Sequence, residues 1–133
     1  MVYNLFHSKV GMKSYSDIEM LDHNMLEMLN SCADGNEELI DEIFDSFSPE
    51  ADELLESIKE SVKKDDMELL RKSSHALAGI CGSVGASRLQ QIATDIENAV
   101  KTGNNQTALE TTAELYPNYT LLIKEIAKYQ ESK

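Results

Sequence analysis

Arg71-Lys72-Ser73-Ser74-His75-Ala76-Leu77-Ala78-Gly79-Ile80-Cys81-Gly82 is the stretch that decides the fold. Wound as a helix at about 100° per residue, it divides into two faces. Leu69, Ser73, Ala76, Leu77, Ile80 and Val84 lie on one side, apolar apart from a small serine. Glu68, Arg71, Lys72, His75, Ala78, Gly79 and Gly82 lie on the other. The histidine is therefore placed in the middle of the solvent face, with small residues just after it and two cations one turn before. A glycine inside a helix costs about 1 kcal/mol relative to alanine, so a surface helix has no reason of its own to carry two there. Gly82 and Gly85 also have a second reading, as the stop of the helix and the turn behind it. Gly79, a full turn inside, has none, and the expectation is that something approaches this histidine closely.

Working outward, the flanking segments repeat the helical period. Ser16 opens a short helix, and Asp22 caps another running to Leu29, with Leu21 and Leu26 placed to staple its start. Ser31-Cys32-Ala33-Asp34-Gly35 makes a turn, with Asp34 and Glu37 as an acidic variant of a capping box. Leu39, Ile40, Ile43, Phe44 and Phe47 then share a stripe. Ser48-Pro49 is expected to end that helix and start the next, Ser48 as N-cap and Pro49 in the first helical position. Ala51, Leu54, Leu55, Ile58 and Val62 form its buried face, and Lys63-Lys64 suit its C-terminal dipole. Asp65 is the expected cap of the histidine helix, with Glu68 three residues on.

Beyond the glycine turn, Leu89, Ile92, Ala93, Ile96 and Val100 mark a helix from about Ala86 to Val100, closed by the turn Lys101-Thr102-Gly103-Asn104-Asn105. Leu109, Ala113, Tyr116, Thr120, Ile123 and Ile126-Ala127 mark the last, which Pro117 should kink or divide near Tyr116. No strand alternation, hairpin turn or repeat intervenes. Long amphipathic helices joined by short turns predict an all-α fold, an up-down antiparallel four-helix bundle preceded by one or two short N-terminal helices. Residues 1–15, which include His7 and a possible second start at Met12, read as an extension, and residues 16–133 as the single bundle domain.

Composition narrows the function classes. Twenty-four acidic against 12 basic residues give a net charge of −12, which argues against nucleic acid or an anionic membrane as partner. No apolar run is long enough to span a bilayer, and the N-terminus has no signal-peptide pattern. Cys32 and Cys81 have neither the number nor the spacing of a disulfide framework or zinc site, so a cytoplasmic protein with a buried Cys81 thiol is expected. Phosphate-binding loops, nucleophile elbows and metal-binding histidine pairs are all missing. The acidic positions Glu37, Glu38, Asp41, Glu42 and Asp45 fall on a polar face, so no metal is expected and no enzyme activity of the chain's own.

An exposed imidazole can still act alone, because it is nucleophilic when neutral and its unperturbed pKa is about 6.5. It can accept a phosphoryl group that a partner delivers, given an accessible nitrogen, no bulk beside it, cations for the phosphoryl oxygens and a group that holds the ring. Arg71 and Lys72 supply cations, with Arg88 completing a small basic island in sequence. Ala78, Gly79 and Gly82 supply the clearance.

His75-Ala76-Leu77-Ala78-Gly79, followed by Gly82-Ser83-Val84-Gly85 and Leu89, resembles the H-x-L-K-G pattern, glycine turn and leucine helix of histidine-phosphotransfer (HPt) domains. The resemblance covers roughly residues 18–131. It implies that His75 is phosphorylated at Nε2 by the aspartyl phosphate of a receiver domain in a hybrid histidine kinase and passes the group to a response-regulator receiver. It also implies that Glu97, at the matching place on the next helix, orients the ring, and that Ala78, Gly79 and Gly82 form the docking surface. The chain itself is expected to need no cofactor, with Mg2+ on the partner receiver, and to act as a free-standing monomer. One departure is Ala78, where the family usually has lysine; Lys72 or Arg71 is expected to support the phosphoryl charge instead. Met20, Met25 and Met28 are candidates for the docking rim, or for core packing. Two other readings are an adaptor that binds receivers without being phosphorylated and a phosphoacceptor module cut from a chemotaxis-type kinase.

Overall fold

The computed structural model of the protein describes residues 14–33 and 37–131. A 3-10 turn, Tyr15–Asp17, precedes six helices: α1 His23–Ala33, α2 Glu37–Lys64, α3 Met67–Val84, α4 Ser87–Lys101, α5 Asn105–Thr112 and α6 Leu115–Glu131. No strand occurs among the described residues. α3 packs along both α2 and α4, α5 and α6 lie against α4, and α6 also reaches α2, so α5 and α6 together complete the bundle. The expected all-helical bundle is what forms. The extension with His7 and Met12, and the Asp34–Glu37 capping box, lie outside the described residues or side chains. Tyr15 already packs against the core, and its hydroxyl donates to Asp95 Oδ2 at 2.6 Å on α4.

Several boundaries differ from the sequence expectation, each for a physical reason. Pro49 does not start a helix; it lies inside α2. Proline in a helix interior costs about 3 kcal/mol. However, Ile40, Phe44 and Phe47 before it and Ala51, Leu55 and Ile58 after it are all buried in one core, and that continuous burial carries the helix through. Leu39 and Val62, placed on the buried stripe by spacing, are partly exposed at its margins.

The cap of α3 is Asp66, not Asp65: its Oδ1 accepts from Leu69 N at 3.0 Å. Asp65 instead takes a left-handed conformation, φ 55°, and Asp66 N donates back to Ser61 O, which closes the end of α2. Asp22 does cap α1, accepting from Met25 N at 3.1 Å, and Leu21 and Leu26 are both buried beside it.

The last segment is divided at Ala113–Glu114. Pro117 stands in the first turn of α6, where its ring would collide with the Ala113 carbonyl of a continuous helix. The buried face then runs through Ala108, Thr111, Thr112, Leu115, Asn118, Leu122 and Ile126, while Ala113, Thr120 and Ala127 are exposed. The expected stripe was out of phase because polar letters hid it. Thr111 and Thr112 donate to Thr107 O and Leu109 O, and Asn118 donates to Glu114 O. Each buried polar group is satisfied locally, so it can face the core.

Candidate functional site

α3 buries Leu70, Ser73, Ser74, Leu77, Cys81 and Val84. Leu69 and Ile80 are only half-buried, and Ala76, expected on the apolar face, is exposed. Because α2 and α4 both pack on α3, its covered sector is centred on the row Leu70, Ser74, Leu77 and Cys81. Burial pushes the Cys81 thiol up to about 12, so it stays protonated and unreactive. Ser74 Oγ, one residue from the histidine, is buried without a hydrogen-bond partner among the described residues.

His75 stands on the open face, its side chain 72% exposed. Its Nδ1 lies 2.9 Å from Glu97 Oε2, across the α3–α4 packing. Glu97 is one of four residues of α4, with Ala93, Ile96 and Ala99, that form the far end of its buried face, and its side chain is only 8% exposed. Glu97 follows Ile96 on the packed side and reaches α3, whereas the other α4 carboxylate, Asp95, accepts from Tyr15 and Gln91. The same Oε2 accepts from Lys101 Nζ at 3.2 Å, one helical turn on. Burial alone pushes the Glu97 carboxyl up, but the hydrogen bonds from Lys101 and His75, with the charges of both, outweigh it and hold the group below its ordinary value of 4.5.

With Glu97 ionised and acceptor-only, a neutral ring would place its proton on Nδ1 to donate across this contact, which leaves the lone pair on Nε2.

The cations are not arranged as the sequence suggested. Arg71 is engaged by Glu68, through Nε to Oε1 at 3.1 Å and Nη2 to Oε2 at 2.6 Å. That contact holds the Glu68 carboxyl below its usual range. Arg88 is no member of a basic island. It faces the N-terminal segment and α6, donating to Ile18 O at 2.8 Å, Ser16 O at 3.3 Å and Asn118 Oδ1 at 3.2 Å. Lys72 is exposed and makes no ion pair among the described residues. Lys101 was missed from the sequence, although its i, i+4 spacing from Glu97 is a readable signal.

The glycines divide as well. A Cβ on Gly79 would meet nothing within 4 Å, so this exposed position is open space. A Cβ on Gly82 would come within 2.9 Å of Gln90 Nε2, which places Gly82 under a side chain of α4 rather than on an open surface. Gly85 is the left-handed C-cap of α3, with φ 73°. Ala78 is half-buried against the core.

One turn along from Gly79, Leu39, Ile43, Phe47, Ile80, Ser83 and Val84 line a groove of about 390 Å³ between α2 and α3. The methionines do not form its wall. Met20 packs against the core, Met25 lies beside Gly85, and Met28 is exposed on α1. Among the described residues there is no cluster of three or more side chains fit to hold a metal, and no helix long and apolar enough to cross a membrane.

A family model described as Hpt domain matches residues 42–131. No curated protein matches the chain. Among solved structures, the chain is similar to the crystal structure of histidine-containing phosphotransfer protein B (HptB) from Pseudomonas aeruginosa PAO1. The superposition covers 87% of this chain and 98% of that one, with a TM-score of 0.75 and 18% sequence identity, a likeness of fold.

Proposed function

The chain belongs to the Hpt-domain family, and from that premise we propose that it is a phosphorelay intermediate whose His75 takes a phosphoryl group from one receiver-domain aspartate and gives it to another. The observation that carries this reading is the exposed His75 ring held at Nδ1 by a buried carboxylate, 2.9 Å away. In the transfer, the Nε2 lone pair forms the N–P bond while the P–O bond to the partner's aspartate breaks, and that electron pair leaves with the carboxylate. The ring keeps its Nδ1 proton and becomes positive as the bond forms. Glu97 faces that developing charge, so the same contact that orients the ring also stabilises the product. The reverse transfer to a second receiver uses the same geometry. The Mg2+ that screens the phosphoryl oxygens belongs to the receiver, and the phosphocarrier contributes no kinase chemistry.

Docking is assigned to the surface around Gly79, where the absence of a side chain lets the partner's phosphoryl group reach Nε2, with the neighbouring groove supplying apolar contact. Lys72, which makes no ion pair among the described residues, takes the phosphoryl charge from the same helix face, in place of the lysine that Ala78 replaces. The protein acts as a monomer between a hybrid kinase and a response regulator.

The test is transfer from a phosphorylated receiver to the wild type and to His75→Gln. Acid-labile, base-stable label on the wild type alone supports the assignment. No label on either, with receiver binding intact, replaces it with an adaptor that binds receivers without chemistry.

A further inference from the structure

The open face of α3 changes character along the helix. At the His75 end its cation is Lys72, exposed and in no ion pair among the described residues. One and two turns beyond His75, Gly79 and Ser83 are exposed, and Ser83 borders the groove between α2 and α3. Leu39, Ile43, Phe47, Ile80 and Val84 give that groove an apolar floor. Leu39 is 43% exposed, so folding leaves part of this apolar surface uncovered.

The ionisable residues that line the groove are both carboxylates, Glu42 and Glu50. With Ser46 between them they stand at i, i+4 and i+8 on α2, along one edge about 12 Å long. All three are exposed. Neither glutamate is held by a cation or a side-chain hydrogen bond among the described residues. The arginines do not reach it either, since Arg71 is engaged by Glu68 and Arg88 turns to Ile18, Ser16 and Asn118. The charge of this edge is left for a partner to meet.

An apolar groove with one charged edge is matched by an amphipathic helix. Its apolar row enters the groove, and the side chains flanking that row lie along the edge. Opposite two carboxylates, lysine or arginine about two turns apart on that flank is attractive, and glutamate or aspartate is repulsive.

We propose that Glu42 and Glu50 are specificity-determining residues for docking: they select receivers whose docking helix carries lysine or arginine beside its apolar row, and reject those with acidic flanks. The inference rests on the reading of His75 as phosphoacceptor and adds the charge of the partner to it. It also fixes direction. With Lys72 toward one end of the face and the carboxylates at the other, the reversed orientation sets a phosphoryl group against Glu42 and Glu50. Exposed ion pairs are individually weak and screened by salt, so the selection acts on association rather than on the transfer step.

The experiment compares the wild type, Glu42→Gln/Glu50→Gln and Glu42→Lys/Glu50→Lys in the full chain. The probes are two helical peptides with the same apolar row of leucines, one flanked by lysine and its twin by glutamate at the same positions. Amide NMR shifts of Ile43, Ile80 and Val84 report binding in the groove. The wild type should hold the lysine peptide about fivefold more tightly than its twin, and the double lysine protein should reverse that order. In the double glutamine protein the preference should vanish, and in the wild type it should shrink as salt rises from about 0.05 to about 0.5 M. Labelling by a phosphorylated receiver gives the second readout, and KM should rise about tenfold in the double lysine protein. Equal binding of the two peptides, no binding at these amides, or a preference that survives charge reversal overturns the proposal. So does labelling whose KM ignores the reversal, or a loss confined to kcat. If the peptides discriminate but no receiver labels the wild type, the phosphorelay reading fails while the charge preference of the groove stands.

Discussion

The two faces of α3 follow different rules. Inward, Leu70, Leu77, Cys81 and Val84 are buried between α2 and α4, and their identities answer to volume and apolar area. Outward, Lys72, His75, Ala76 and Gly79 are exposed, and a Cβ added at Gly79 would touch nothing. Packing within the chain cannot explain a glycine in open space on a helix surface. What the inward face does should therefore be visible in stability, and what the outward face does only in the presence of a partner.

The sharpest way to break this contrast is Leu77→Ala. Leu77 is fully buried, and truncating it should cost about 2–5 kcal/mol, measured by denaturant unfolding. Phosphotransfer per folded molecule should stay at the wild-type rate. A slower rate in the folded fraction would show that the inner face tunes the outer one.

Gly85→Ala tests the boundary between the faces. The left-handed conformation, φ 73°, should cost about 1–2 kcal/mol with any L side chain. The added Cβ would also press on Met25 Sδ at 3.3 Å and Asp22 Cβ at 3.4 Å, and Gly85 O accepts from Asp22 N at 2.7 Å. Proton exchange at the start of α1 should accordingly rise more than at the centre of α4. Uniform exchange would mean that the α1 segment is not held by this turn.

The smallest stability effect, and the most telling, is Gly79→Ala. A helix-interior glycine replaced without a clash should stabilise the fold by about 0.5–1 kcal/mol. Transfer from the receiver should nevertheless slow, because a methyl then stands where the partner approaches His75. Higher stability with an unchanged rate would remove Gly79 from the docking surface.

Much of this was legible in the residues. The helical period and short turns are local properties, and they placed α3, α4 and the leading cap at Asp22. His75 was legible because an exposed histidine beside a glycine breaks the usual composition of a surface helix. Glu97 came only through the family resemblance: in isolation it is one glutamate among many, bordering an apolar stripe. Arg88 looked like part of the site because it is near in sequence, yet its guanidinium turns to Ile18, Ser16 and Asn118. The phase of α6 was missed because Thr111, Thr112 and Asn118 hide their polarity by bonding backbone of their own turns, which composition cannot show.

By itself, then, the sequence determined the helices, the bundle and the singular position of His75, since amphipathic period and glycine cost act within a few residues along the chain. Tertiary structure alone decided that Pro49 would be carried inside α2, because burial on both sides of it outweighs a local penalty. It also decided which charges surround the ring. Hydrogen bonds require atoms within about 3 Å, and only the packing of α3 on α4 brings His75, Glu97 and Lys101 to a single oxygen while Glu68 takes Arg71 away.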